Sequence, residues 1–330
     1  MTQMTEPAEI LLAQPRGFCA GVDRAITIVN QALEQFGAPI YVRHEIVHNQ
    51  YVVTDLRNRG AIFIDDLSEV PEGATLIFSA HGVPPSIKAE ATQRGFRIFD
   101  ATCPLVTKVH VEVSKMYQQG YYIVMIGHKG HPEVEGTMGQ VKDRISLVEK
   151  VEDVLNLQIP LDQPIAYVTQ TTLSIDETAD IVTALKNKFP QIAQPKKQDI
   201  CYATQNRQDA VKFMAPQVQL VIVVGSPNSS NSNRLWELSE KLGVKTFMVD
   251  HPDQLKAEWF QGIKRVGLTA GASAPEVLAQ SIIEKIKEFG PRTVKPLDGV
   301  TEKSIFQLPK GLIVTAMSKI NLSESSQRKK

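Results

Sequence analysis

The sequence predicts an α/β protein of three pseudo-symmetric α/β domains, with parallel sheets around a common centre. Three observations predict it. Short apolar runs alternate with helical patterns along most of the chain. Three lone cysteines recur at similar intervals, each ahead of a helical pattern. Polar clusters follow each cysteine at nearly matching distances, as in an internal repeat.

The strands come first. EILLAQ, ATLIFSAHG, YYIVMIGH, IAYVTQT, LVIVVGS and RVGLTAG are brief apolar runs of the kind that fill buried parallel sheets. Helical periodicity follows several of them. Ala25, Ile26, Val29, Leu33 and Phe36 form one stripe at three- and four-residue spacing. Ser174 opens SIDE and Ser273 opens SAPE. Both match the S-x-x-E capping box, the second with a proline in its first turn.

The repeat emerges when the cysteine segments are aligned. Cys19, Cys103 and Cys201 are separated by 103 − 19 = 84 and 201 − 103 = 98 residues. A polar cluster follows after 29 residues at His48, 28 at His131 and 29 at Ser230. A second follows after 62 at His81, 68 at Thr171 and 72 at Ser273, each just past an apolar run. Carboxyl ends of strands are where open α/β sheets bind ligands. The expected domains are 1–103, 104–200 and 201–290, followed by a C-terminal tail over 291–330 whose end, SESSQRKK, is expected to be disordered.

Composition narrows the function. The chain of 330 residues is 22% charged, with 36 basic and 36 acidic side chains, so no basic excess points to nucleic acid or an anionic membrane. No apolar run approaches a membrane span. The N-terminal residues lack the features of a secretory or transit peptide, and three cysteines cannot all pair. A cytoplasmic protein with free or metal-bound thiols is expected.

Three cysteines at helix starts suit a metal better than a structural clip. A helix N-terminus favours thiolate, the form that ligates iron or zinc. Structural zinc prefers four protein ligands, whereas an iron–sulfur cubane held by three thiolates keeps one iron free. Spacing favours iron–sulfur and leaves zinc open. His48, His81 and His131, with Ser229, Ser230, Asn231 and Ser273, form a donor-rich set suited to phosphate or diphosphate. No Gly-rich phosphate fingerprint is present. In HPEVEG, Glu133 and Glu135 are rival proton donors, and spacing does not choose between them.

These segments together are specific. GFCAGVDRA, ATCPLVTKVH, IGHKGHPEVEGTMGQ, YVTQTTLS, ICYATQNRQ, NSSNSNRL and GLTAGASAP resemble the 4-hydroxy-3-methylbut-2-enyl diphosphate reductases of bacterial type, from about Gly17 to about Gly290. Pro227 is a small departure, where many members carry a basic residue. The resemblance implies a trefoil-like fold around one [4Fe–4S] cluster per subunit, held by Cys19, Cys103 and Cys201. It implies a diphosphate pocket of His48, His81, His131, Ser229, Ser230, Asn231 and Ser273. It assigns proton delivery to Glu133 over Glu135, with Thr171 near the substrate hydroxyl. The implied reaction is reductive dehydroxylation to isopentenyl and dimethylallyl diphosphates, the last step of the methylerythritol phosphate route, with ferredoxin or flavodoxin as electron donor. Two other functions fit three thiolates: a redox-neutral iron–sulfur hydro-lyase, and an iron–sulfur sensor of a diphosphate metabolite.

Overall fold

The computed structural model describes residues 8–160 and 162–312. Along them run β1 (Glu9–Leu12), α1 (Ala20–Phe36), β2 (Ile40–Arg43), α2 (Gln50–Asn58), β3 (Ala61–Ile64), β4 (Thr75–Phe78), α3 (Pro85–Gln93) and β5 (Arg97–Asp100). Next come α4 (Pro104–Gln118), β6 (Tyr122–Ile126), α5 (Pro132–Met138), β7 (Ile145–Val148), α6 (Val151–Asn156), β8 (Ile165–Thr169) and α7 (Ile175–Lys188). The remainder is α8 (Tyr202–Met214), β9 (Leu220–Val224), α9 (Ser230–Lys241), β10 (Lys245–Val249), β11 (Arg265–Ala270), α10 (Glu276–Glu288) and β12 (Thr293–Pro296). The expected disordered end, SESSQRKK, lies outside the described residues.

Two compact units emerge. The first comprises 8–19, His48–Thr54 and Tyr202–Ile305, and the second Ala20–Val47, Asp55–Cys201 and 306–312. The first unit holds a five-stranded sheet in the order β10-β9-β11-β1-β12. Its strand β9, LVIVV, is buried throughout, because helices cover both faces. Leu220, Ile222 and Val224 pack with Leu278, Ile282 and Ile286 of α10. Val221 and Val223 point the other way, onto Val211 and Met214 of α8 and Leu235 of α9.

The second unit holds two sheets, β3-β2-β4-β5 and β7-β6-β8. In the latter, Val124 and Ile126 pack with Ile181 and Leu185 of α7, while Ile123 and Met125 pack with Val109 and Val113 of α4. All the strand pairs of the three sheets are parallel.

One strand order recurs in all three sheets. Around the central pair β2-β4, β6-β8 or β9-β11 lie an edge strand (β3, β7 or β10) and a fourth segment. That fourth segment is β5 beside β4, a single parallel bridge from Ala193 to Ala166 beside β8, and β1 beside β11. The sheets cut across the expected boundaries. β1, expected in domain 1–103, lies between β11 and β12. β12 itself comes from 291–330, expected as a tail. Parallel strands need long crossover connections, so strands remote in sequence can pair directly.

Two local expectations also change. The buried face of α1 is Gly21, Ala25, Ile28, Val29 and Ala32, while Ile26, Leu33 and Phe36 are only half-buried. Small residues let the helix lie close to its neighbours, and Phe36 instead stacks on Phe99 at 5.5 Å between centroids. Ser174 caps α7, accepting from the Glu177 N–H at 3.4 Å. Ser273 does not cap α10; the cap is Pro275, without a side-chain bond, and the Ser273 hydroxyl is used elsewhere.

Candidate active site

Each cysteine immediately precedes a helix: Cys19 before α1, Cys103 before α4 and Cys201 before α8. Each amide donates to a carbonyl two residues beyond the end of a central strand. Cys19 bonds to Ala272 past β11 at 3.3 Å, Cys103 to Ala80 past β4 at 2.9 Å, and Cys201 to Thr171 past β8 at 3.0 Å. The thiols therefore occupy equivalent places at the carboxyl ends of three sheets. None of the three is in a disulfide among the described residues, and all are partly buried. The pairing is offset from the sequence repeat: each cysteine closes the sheet of the preceding repeat. Cys103 shares a sheet end with His81, Cys201 with Thr171, and Cys19 with Ser273.

The first polar clusters are equally regular. His48, His131 and Ser229 each lie five residues past a central strand, β2, β6 and β9 respectively. A short helix or helix start follows each, so first-turn backbone N–H groups adjoin these residues in the chain.

Past β9 and β11 in the first unit the set is neutral and small. Ser229 caps α9, accepting from the Ser232 N–H at 3.3 Å, and its oxygen lies 3.3 Å from that of Ser273. The Ser273 hydroxyl donates to the His48 carbonyl at 2.9 Å. Asn231 accepts from the Ala272 N–H at 2.8 Å, with its amide directed at Thr204. Ser229, Ser230, Asn231 and Ser273 are all buried. Gly225 and Gly271 make this packing possible. A Cβ at either would lie within about 2.2 Å of the Ser232 hydroxyl, so no larger residue fits.

In the second unit the set is two imidazoles and a carboxyl. His131 caps α5, its Nδ1 accepting from the Glu133 N–H at 3.1 Å. An accepting Nδ1 puts the proton of a neutral imidazole on Nε2. The His81 and His131 rings meet edge to face at 5.5 Å. The His81 Nδ1 lies 3.2 Å from the Ser79 hydroxyl. Glu133 is 3% exposed, and Thr171 donates to both of its oxygens, by the backbone N–H at 2.6 Å and by the hydroxyl at 3.0 Å. Burial pushes the Glu133 carboxyl up to about 7; the Thr171 bonds oppose the rise and the Asp199 charge adds to it. Glu135, two residues on, is exposed.

Asp199 is a site neighbour that the sequence does not reveal. It is fully buried, bonded to the Thr169 N–H at 3.1 Å and to Lys108 at 3.1 Å. Burial raises its own pKa. A lone aspartate two residues before a cysteine carries no local signal, and both its partners are remote in sequence. Among the described residues, no helix is long and apolar enough to cross a membrane.

These features define a parallel α/β protein whose sheets present thiols, histidines, a buried carboxyl and small polar donors at their carboxyl ends, the place such folds reserve for ligands. The chain belongs to the LytB protein family, whose model matches residues 10–287. It is 68% identical over 305 residues to the 4-hydroxy-3-methylbut-2-enyl diphosphate reductase of Ralstonia nicotianae, covering 92% of this chain and 94% of that one. It is 66% identical over the same length to 4-hydroxy-3-methylbut-2-enyl diphosphate reductase 2 of Burkholderia mallei, with the same coverages. Among solved structures it resembles the E-1-hydroxy-2-methyl-but-2-enyl-4-diphosphate reductase of Plasmodium falciparum. The TM-score is 0.87 at 41% identity, covering 98% of this chain and 100% of the other. A second, described as the terminal enzyme of the non-mevalonate pathway, matches with a TM-score of 0.63 at 34% identity, over 85% of this chain and 99% of that one.

Proposed function

We propose that this protein is an oxidoreductase that converts 4-hydroxy-3-methylbut-2-enyl diphosphate to isopentenyl and dimethylallyl diphosphates, the last step of the non-mevalonate isoprenoid route. The observation that carries the chemistry is the buried Glu133–Thr171 pair, a carboxyl that still holds its proton near neutrality. In net terms the substrate takes up two electrons and two protons and loses its hydroxyl as water.

The cofactor reading is a [4Fe–4S] cluster, one per chain, held by Cys19, Cys103 and Cys201. The donor set fits it: three thiols outside any disulfide, each at a helix start and each fixed by its own amide at a sheet end. The sequence has no fourth cysteine, so one iron would lack a thiolate. When bound, such a cluster supplies electrons one at a time and a Lewis-acidic iron without a protein thiolate. Ferredoxin or flavodoxin is the electron donor that the family resemblance implies.

The chain's own residues bind, orient and protonate. The diphosphate is assigned to His48, His81, His131, Ser229, Ser230, Asn231 and Ser273. Hydroxyl, amide and imidazole donors already ordered by capping and neighbouring bonds spend little entropy on ligand binding. Gripping the diphosphate positions the distant hydroxymethyl group for reaction. Glu133 then gives its proton to the departing hydroxyl oxygen, with Thr171 holding the carboxyl in place.

The test is anaerobic turnover of the hydroxylated diphosphate by reconstituted protein with a chemical reductant. Both isoprenoid diphosphates are expected, and only with reductant. Turnover without reductant would replace the reading with a hydro-lyase. Binding without products, by protein with an intact cluster, would replace it with a sensor.

A further inference from the structure

Three cations outside the substrate set occupy matching places. Arg24 lies five residues past Cys19 on α1, Lys108 five past Cys103 on α4, and Arg207 six past Cys201 on α8. Each reaches from the helix that begins at one cysteine to the loop that leads into another. Arg24 donates to the carbonyls of Thr102 at 3.2 Å and Asp100 at 3.3 Å, just ahead of Cys103. Lys108 donates to the carbonyls of Lys197 and Gln198, both at 3.0 Å, and to the Asp199 carboxylate at 3.1 Å, just ahead of Cys201. Arg207 donates to the Gly17 carbonyl from Nε at 3.0 Å and Nη2 at 2.6 Å, and to the Phe18 carbonyl at 3.2 Å, just ahead of Cys19. The order is cyclic along the sequence: the helix after the first cysteine ties the second, that after the second ties the third, and that after the third ties the first.

Scattered surface cations do not produce this pattern. The acceptors are mainly backbone carbonyls, at the last residue of β5 or in the loops just ahead of each cysteine. Arg207 is completely buried, which a guanidinium tolerates only when its donors are used and its charge is matched. Glu302 matches it, at 3.0 and 3.3 Å, and Asn206 also donates to Glu302 at 3.0 Å. Asp199 plays that part for Lys108, and the Asp100 charge supports Arg24. Gly17 adopts φ +70, and a Cβ there would come within 3.1 Å of the Ala274 carbonyl, so the loop under Arg207 has little freedom. The Arg24 Nε also donates to the Gln307 carbonyl at 2.6 Å. Segments after Leu297 thus brace two of the three cations, through Glu302 and Gln307.

We infer that Arg24, Lys108 and Arg207 are positioning residues for the three cysteines, each fixing the loop that presents one thiol, and that retention of the cluster depends on them. This rests on the reading that the three thiols hold one cluster. It also gives the segment after Leu297 a structural role, that of bracing the clamps.

The experiment uses the full chain, with and without cluster, as Arg24→Met, Lys108→Met and Glu302→Gln, the last standing in for the buried Arg207. Arg24→Lys and Lys108→Arg are the conservative controls. Hydrogen exchange in the cluster-free protein is expected to quicken roughly ten-fold in one loop only, the loop that the altered clamp holds. That loop is Thr102–Cys103 for Arg24→Met, Asp199–Cys201 for Lys108→Met and Gly17–Cys19 for Glu302→Gln. The conservative variants are expected to recover most of the protection. In the loaded protein, the same three variants are expected to lose iron and sulfide to air several-fold faster than the parent chain. Unchanged exchange in the designated loop overturns the proposal. So does exchange that quickens uniformly across all three loops, since that reports general loosening. A parent chain that takes up no cluster, yet shows loop-specific exchange in its variants, overturns the cluster reading while upholding the clamps.

Discussion

The two units solve the same geometric problem with different chemistry. In the first, the sheet end past β9 and β11 carries Ser229, Ser230, Asn231 and Ser273, none of which changes charge near neutral pH. In the second, the corresponding ends carry the imidazoles of His81 and His131 and the Glu133 carboxyl, which burial pushes up to about 7. The strand order and the cysteine bond are the same in both. A fold that repeats its scaffold can thus vary the side chain at a fixed station. On the proposed reading, the neutral donors serve grip alone, whereas the second unit adds two imidazoles to the grip and a carboxyl, Glu133, for proton transfer. Substitution among the neutral donors should then change KM, and substitution of Glu133 should change kcat.

The sharpest way to break that comparison is to remove the proton from the second unit. Glu133→Gln keeps the shape and an oxygen to accept from Thr171. Turnover is expected to fall about 10²- to 10⁴-fold, the usual worth of a positioned acid, with KM nearly unchanged. If Glu133 is the donor as proposed, the parent enzyme should lose kcat as pH rises through about 7, where its acid form is lost. Equal turnover in the variant would remove Glu133 from the reaction.

The converse experiment puts a charge into the neutral unit. Asn231→Asp retains the oxygen that accepts from the Ala272 N–H, so the packing survives. It sets a carboxylate against an anionic ligand. A rise in KM of about 100-fold is expected, with a much smaller change in kcat, since like charges brought together cost several kcal/mol. A variant with unchanged KM would take Asn231 out of the diphosphate site.

Much of this is visible in the sequence, for physical reasons. A lone cysteine just before a helical stripe is a local signal, and so are the near-constant 28 or 29 residues to His48, His131 and Ser230. Largely or fully buried strands such as YIVMI and LVIVV announce themselves as unbroken apolar runs. Half-exposed ones, ISLV, KTFMV and TVKP, carry no such run and escape notice. The choice of partner for β1 is beyond reach, because Ile10 pairs with Val266, more than 250 residues away. Ser273 looks like a helix cap because S-x-x-E is a local pattern, whereas its true partner is the carbonyl of distant His48. Glu133 and Glu135 differ only in which way the helix turns them, and burial supplies that distinction where spacing does not.

Stability offers a smaller and independent reading of the same contrast. The Glu133 carboxyl sits at about 7 in the folded protein against 4.5 for an ordinary glutamate, because burial disfavours its charge. A pKa raised on folding contributes its stability below the unfolded value and loses it as pH rises through the folded one. The parent chain should therefore lose on the order of 3 kcal/mol between about pH 4.5 and pH 7 from this group alone. Glu133→Gln has no such group. Its Tm relative to the parent should climb across that window and level off above it. Asp199→Asn should give a fraction of the effect: it removes a nearby negative charge, which lowers the Glu133 pKa and moves both the stability slope and the kcat limb to lower pH. Asn231→Asp, in the other unit, should leave the slope due to Glu133 in place. Paired pH–Tm curves for the three variants decide this. If the Asn231→Asp curve lost that slope while the Glu133→Gln curve kept it, the division of labour between the two sheet ends would be wrong.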